Sequence, residues 1–227
     1  MTLKQKILND IKTDKKALKD YKTIKSKIKN KTATYLDATN YSKSLGDAVS
    51  RHIKSNLNKD ISTEELKEFA KSCLAPVYSN VQNTMISVCA SVQQIYNDKA
   101  GIKLKPVEVK RDSSRINHII DRFNDAEAFE DVEFLIGENV TRSIARGALT
   151  DCIMFNAIFH KDSGLKTIIT RSDNGGCCEW CSGVAGTFNS YDNLPKDFWA
   201  VHRNCSCTID YEVQKSNPKI RYMPTNQ

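Results

Sequence analysis

No stretch of this sequence approaches the roughly 20 consecutive apolar residues that a membrane-spanning helix requires. Its opening, Met-Thr-Leu-Lys-Gln-Lys, leads into no apolar segment of the kind a secretory signal carries. The expectation is synthesis in the cytoplasm and no dealings with a membrane. Phosphate-binding and hydrolase signatures are missing too: there is no Walker A sequence, no G-x-G-x-x-G turn and no G-x-S-x-G elbow. Histidine is scarce, with four residues in the chain. A ββα-metal nuclease needs a histidine base and further His or Asp ligands beside its zinc knuckle. Only His202 lies near the cysteine-rich region, whereas His52, His118 and His160 stand alone and read as surface or core residues. Internal repeats and low-complexity tracts are absent as well.

What is present is a chain of 227 residues, 40% apolar and 27% charged, enough for one large core or two small ones. The formal net charge of +7 is uneven. Residues 1–31 carry eleven lysines against Asp10, Asp14 and Asp20, so this segment holds the whole excess. Within it Lys15, Lys16, Lys19, Lys22 and Lys25 form a basic run suited to an acidic partner surface or to nucleic acid, although a solvated helix face would look the same.

The first half reads as helix. Leu3, Ile7, Ile11, Leu18, Tyr21, Ile24 and Ile28 recur at three- and four-residue steps, and Tyr41, Leu45, Ala48, Val49, Ile53 and Leu57 continue the pattern. Ser62 followed by Glu65 predicts a capping box. Pro76 predicts a kink or restart, because proline has no amide donor. A further helix runs from Val77 to about residue 97. Turn residues and Pro106 interrupt the pattern over 98–112, where a boundary is expected between a helical, lysine-rich region 1–100 and a C-terminal domain 112–212. Beyond it a short helix around Ile116–Phe123, a longer one over about 129–160, and strands at Leu165–Thr170 and Thr208–Tyr211 are predicted. Residues 213–227 read as a loose tail.

Eight cysteines are present, and their distribution is informative. Cys73, Cys89 and Cys152 sit singly in apolar helical surroundings and read as buried thiols. The other five crowd into Cys177-Cys-Glu-Trp-Cys181 and His202-Arg-Asn-Cys-Ser-Cys207. A C-x-x-C turn places two sulfurs on one side of an ion, and an H-x-x-C-x-C half-site can close a tetrahedron from the other. Zinc is the expected metal, with Cys178, Cys181, His202, Cys205 and Cys207 as candidates and Cys177 as a further one. With more donors than corners, a closed structural site is expected, not a catalytic one with an open position for water. Phe188, Phe198 and Trp199 between the half-sites are expected to pack around it. The fold class is then mainly α, with a small α+β C-terminal zinc-knuckle module over 178–207 whose short strands flank the Cys/His cluster.

Thr170-Arg-Ser-Asp173, Cys178-Glu-Trp-Cys181, Ala185-Gly186 and His202-Arg-Asn-Cys205-Ser-Cys207 together resemble the C-terminal half of the phage Mu F-like minor head proteins, also called phage head morphogenesis proteins. Asn139–Gly147 is similar to the helix that precedes the motif in that family. The resemblance covers roughly residues 112–212, and the doubled Cys177-Cys178 departs from the family's single cysteine. It implies a non-enzymatic virion component of a tailed phage or prophage, held inside the head in few copies and associated with the portal protein and capsid interior. There it would assist head assembly or DNA ejection, with packaged DNA as a partner for the basic N-terminal helix. Two other classes compete: a phage-delivered effector enzyme of toxin or ADP-ribosyltransferase type, and a zinc-knuckle regulator that binds nucleic acid.

Overall fold

The structure, a computed structural model, describes residues 1–58, 60–173, 178–202 and 207–214. The chain is mainly helical, with a small antiparallel sheet near its C-terminal end. Helices α1 (Leu3–Thr13), α2 (Lys15–Lys29) and α3 (Tyr35–Asn56) are followed by α4 (Thr63–Phe69), a π-helical turn (Ala70–Leu74) and α5 (Ala75–Lys99). Next come α6 (Ser114–Asn124), two 3-10 turns (Phe129–Asp131 and Glu133–Ile136) and α7 (Glu138–Asp162). Strand β1 (Lys166–Ser172), α8 (Glu179–Gly183), β2 (Gly186–Phe188) and β3 (Thr208–Gln214) complete it, with a 3-10 turn at Tyr191–Asn193.

The single apolar stripe expected over residues 3–28 is broken in two at Asp14. The Asp14 carboxylate accepts the Lys16 and Ala17 amides at 3.2 and 3.1 Å and so starts a new helix. It also accepts Arg51 at 2.9 Å and contacts His52 Nε2 at 3.1 Å, which ties the start of α2 to α3. Burial works against the charge on Asp14, yet these hydrogen bonds hold its carboxyl below the usual range. The break also rotates the stripe: Ile7, Ile11, Ala17 and Ile24 are buried, while Leu18 and Ile28 are half-buried and Tyr21 is exposed. The basic segment is therefore no free arm, because α1 and α2 contribute side chains to the main core.

Other boundaries follow from identifiable causes. Ser62 and Glu65 form the expected capping box on α4. Ahead of Pro76 the helix passes through the π turn, in which the Ala75 amide reaches back to the Ala70 carbonyl. That widening lets the chain run through a residue that cannot donate. The long helix expected from about 129 begins only at Glu138. Before it, the Asp131 carboxylate captures the Glu127 and Ala128 amides at 3.2 and 3.0 Å. The Leu135 carbonyl accepts Tyr78 Oη at 3.0 Å, and the Ile136 carbonyl accepts Ser50 Oγ at 2.8 Å. Carbonyls engaged by α5 and α3 in this way favour tight turns over a continuous α-helix.

Helices α3, α5 and α7 form the centre of the body. The tightest approach lies where Gly46 of α3 meets Arg142 of α7, and Thr141 Oγ1 donates to the Gly46 carbonyl at 2.8 Å across it. Arg142 also pairs with buried Asp47 on α3. The segment expected as a domain boundary is an extended connection between α5 and α6, and the helices on its two sides share one apolar cluster. Three buried amide side chains satisfy its backbone. Asn97 donates to the Leu104 carbonyl at 2.9 Å, Asn156 accepts the Val107 amide at 2.9 Å, and Gln82 donates to the Asp112 carbonyl at 2.8 Å.

The sheet has the order β2-β1-β3, so β1 is central. Ile169 faces Tyr211 and Arg171 faces Ile209 across β1 and β3, while Ile169 faces Phe188 on β2. Strand β3 runs to Gln214, so Val213 and Gln214 belong to the sheet and not to a tail, and Val213 is buried. Residues 215–227 of the expected tail lie outside the described residues.

Beneath the sheet, His160 of α7 shares a 2.5 Å hydrogen bond through Nδ1 with Tyr211 Oη of β3. Its Nε2 is buried with no hydrogen-bond partner among the described residues. Burial therefore lowers its pKa and keeps the ring neutral. A histidine depressed in this way adds stability above its unfolded value, near 6.5, and that stability is lost as pH falls below it. Between pH 7.5 and 5.5, urea unfolding of the parent chain should lose stability faster than His160→Gln, with a difference of no more than about 1.4 kcal/mol per pH unit. Equal slopes in the two proteins would place the acid sensitivity elsewhere.

Candidate metal centre

Strand β1 delivers the chain to the cluster. Its alternation buries Thr167, Ile169 and Arg171, so the last inward position is occupied by a cation and not an aliphatic residue. After β1 the chain reaches Cys178, the residue that precedes the single turn of α8, and Cys181 lies within that turn. Three-residue spacing on one helical turn places both sulfurs on the same side. Ser182 Oγ donates to Asp173 Oδ2 at 2.9 Å and fastens α8 to the end of β1.

The second half-site arrives from the far side of a compact aromatic loop. Phe198 is fully buried and meets Phe188 and Trp199 edge-on, at centroid distances of 5.4 and 4.9 Å. Tyr191 stacks on Trp199 at 6.0 Å. This packing carries the chain to His202, whose Nε2 lies 3.4 Å from Cys178 Sγ and 2.8 Å from Cys181 Sγ. The three aromatics expected to pack around the metal pack against one another in the loop between the half-sites.

The donor atoms of Cys178, Cys181 and His202 all fall within 4.8 Å of one another, and among the described residues they are the one such group. Bond lengths of about 2.0–2.3 Å at tetrahedral angles put donors roughly 3.5–3.8 Å apart, so one ion can contact all three after small shifts. Two sulfurs and an imidazole suit a borderline-soft metal better than calcium or magnesium, which take oxygen donors. Nε2 is the nitrogen turned toward the sulfurs. Cys181 is fully buried, Cys178 is exposed and His202 is intermediate, so the centre sits at the surface with one buried corner.

Cys207 is fully buried beside the first residue of β3, but it does not join the group of three. Cys177 and Cys205 lie outside the described residues. Cys73, Cys89 and Cys152 are buried free thiols, as their surroundings predict. Burial pushes the Cys73 thiol up to about 11 and the Cys89 thiol well above its ordinary value. All three sit in the helical body, outside the group formed by Cys178, Cys181 and His202. His52, His118 and His160 lie on α3, α6 and α7, outside the donor group.

Sequence reasoning did not single out Arg171. Its guanidinium donates to the Phe198 carbonyl, to the Ala200 carbonyl at 3.2 Å and to Cys181 Sγ at 3.6 Å. Its carbon centre also lies over the Trp180 ring, 5.4 Å from the centroid. Trp180 in turn meets His202 edge-on at 5.4 Å. Strand alternation was the available signal: in Lys166–Ser172 the phase that buries Ile169 also buries Arg171.

The basic run is divided by the fold. Lys15, Lys19 and Lys22 line an open groove on α2 together with Leu18, Thr23, Ser26 and Lys27. Lys16 lies 3.9 Å from Asp47, and Lys25 lies over the Tyr21 ring at 5.8 Å. Lys27 and Lys31 pair with Asp37 and Asp98 at 2.6 and 3.2 Å. All five lysines expected to contact a partner are exposed.

No helix among the described residues is long and apolar enough to cross a membrane. Comparison of the chain with protein-family models, with curated proteins and with solved structures returned no match.

Proposed function

We propose that the chain is a minor head protein of a tailed phage or prophage, a virion component without catalysis whose C-terminal region is organised by a structural zinc ion. The observation that carries this reading is the meeting of Cys178, Cys181 and His202 at the end of β1, because they belong to the motif that resembles the phage head morphogenesis proteins. Zinc suits the donor chemistry, with a fourth ligand from Cys177, Cys205 or Cys207. A closed site of this kind stabilises a short loop-rich segment that has little core of its own.

The lysine strip of α2 supplies the partner-facing surface in this reading. Lys15, Lys19 and Lys22 project from a rigid helix toward the acidic face of a portal protein or toward packaged DNA, where each phosphate contact makes binding salt-dependent. The protein is made in the bacterial cytoplasm and retained in the virion head. It assists head assembly, DNA ejection or both.

The test is mass spectrometry of purified, DNase-treated particles from a strain carrying the gene. The expected result is this protein inside DNase-resistant heads at a few copies per particle. Its absence from all particles, with abundant free protein in the cell, would overturn the virion reading and favour a regulator or an effector.

A further inference from the structure

The two halves of the metal site lie on separate segments of the chain, and α8, which carries the first, is a single turn. Their alignment needs a structural cause. The Arg171 side chain contacts both. On the first half-site it touches Cys181 Sγ at 3.6 Å and lies over the ring of Trp180, one of the two residues between the cysteines. On the second it donates to the carbonyls of Phe198 and Ala200, four and two residues ahead of His202. Trp180 closes the circuit with its edge contact to the His202 ring.

We propose that Arg171 is the positioning residue of the metal centre: one buried guanidinium that holds the Cys-x-x-Cys turn and the histidine arm in register and offsets the negative charge of the assembled thiolate site. The inference rests on the metal-site reading given above.

The chemistry favours arginine specifically. Its planar fork presents donors in several directions from one rigid group, whereas lysine offers a single point charge. The side chain is 2% exposed, and a cation that deeply buried is costly unless it is paired. Two of its acceptors are neutral carbonyls, while a third, Cys181 Sγ, becomes an anion when it binds metal. Two thiolates balance a divalent ion, and a third cysteine ligand would leave one negative charge beside the arginine. Groups that orient metal ligands in this way typically contribute roughly 10–100-fold to metal affinity.

The experiment uses the full-length chain with zinc and a competing chromogenic chelator, comparing the parent with Arg171→Met and Arg171→Lys. Arg171→Met should bind zinc roughly 10–100-fold more weakly, with Arg171→Lys between the two, while the helical circular dichroism of both stays at the parent level. Cobalt substitution gives a readout that a purely structural role would not move. Without a cation beside Cys181, the sulfur-to-cobalt charge-transfer band should shift to lower energy in Arg171→Met. Parent affinity and an unmoved cobalt band in Arg171→Met would overturn the proposal. If that variant does not fold, parent affinity and an unmoved band in folded Arg171→Lys would overturn it equally. A parent chain that binds no zinc would instead defeat the metal-site reading itself, so the two failures are distinct.

Discussion

Gly46→Ala should destabilise the protein by about 1–3 kcal/mol, the usual range for an overpacked core position, and Gly46→Val should cost more. The sign is what makes the experiment informative. In an ordinary helix interior, alanine is favoured over glycine by about 1 kcal/mol, so an uncrowded site would gain stability. At Gly46 an added Cβ would sit 2.6 Å from Arg142 Cα and 2.7 Å from Arg142 N, and both are backbone atoms that no rotamer change can move. Nor can α7 retreat freely. Thr141 bonds the Gly46 carbonyl at 2.8 Å, and Arg142 is held by Asp47 one residue along α3. A Cβ at Gly147 offers the contrast. It would collide chiefly with the far end of the Arg115 side chain, which can swing away, so Gly147→Ala should be much milder. Urea unfolding of the three variants checks this. A stabilised Gly46→Ala would mean that α3 and α7 cross less closely than described.

Such a crossing leaves little trace in a sequence. The apolar periodicity of Tyr41, Leu45, Val49 and Ile53 announces a helix and its buried face, and α3 bears that out. It does not say that Ser42, Gly46 and Ser50 occupy the same buried surface because another backbone comes close. The expected helix over 129–160 began late for a related reason: carbonyls at Leu135 and Ile136 are engaged by Tyr78 and Ser50, residues 57 and 86 positions away. Capping at Ser62 and the restart at Pro76 are local chemistry, and both are legible. The metal site divides in the same way. Cys178, Cys181 and His202 were readable because ligand spacing is itself a local pattern. Arg171 was not readable as a partner of that site, since its contacts join residues 10, 27 and 29 positions ahead. What the sequence could have offered was only the strand phase that turns Arg171 inward.

Cys181→Ser should weaken zinc binding roughly 100-fold and loosen the sheet end of the molecule while the helical body stays folded. Structural zinc in small modules contributes on the order of 10 kcal/mol. Shared over four ligands, that is about 2–3 kcal/mol per ligand, or roughly 100-fold in affinity for a single lost sulfur. Serine does not replace the thiolate, and its hydroxyl would occupy a fully buried position where an unpaired polar group is itself unfavourable. The damage should spread along particular connections. Loss of the Cys181 corner frees His202 and the α8 turn first, then the ends of β1 and β2 that flank them. The far half of β3 is held independently by Tyr211 against His160 and by Tyr96 Oη to Asp210 at 3.2 Å, so it should resist. Helices α3, α5 and α7 bury most of the core without any contribution from the cluster. Hydrogen exchange should therefore show lost protection around Arg171–Ser172 and Gly186–Phe188, with protection kept in α5 and α7, and chelator treatment of the parent chain should give the same map. Cys73→Ala is the control: a buried thiol pushed up to about 11 and far along the chain should leave the zinc count unchanged. Parent-level zinc in Cys181→Ser, or an exchange map unaltered by chelator, would refute the metal centre. Loss of protection throughout α3, α5 and α7 would show instead that the helical body depends on the ion as well.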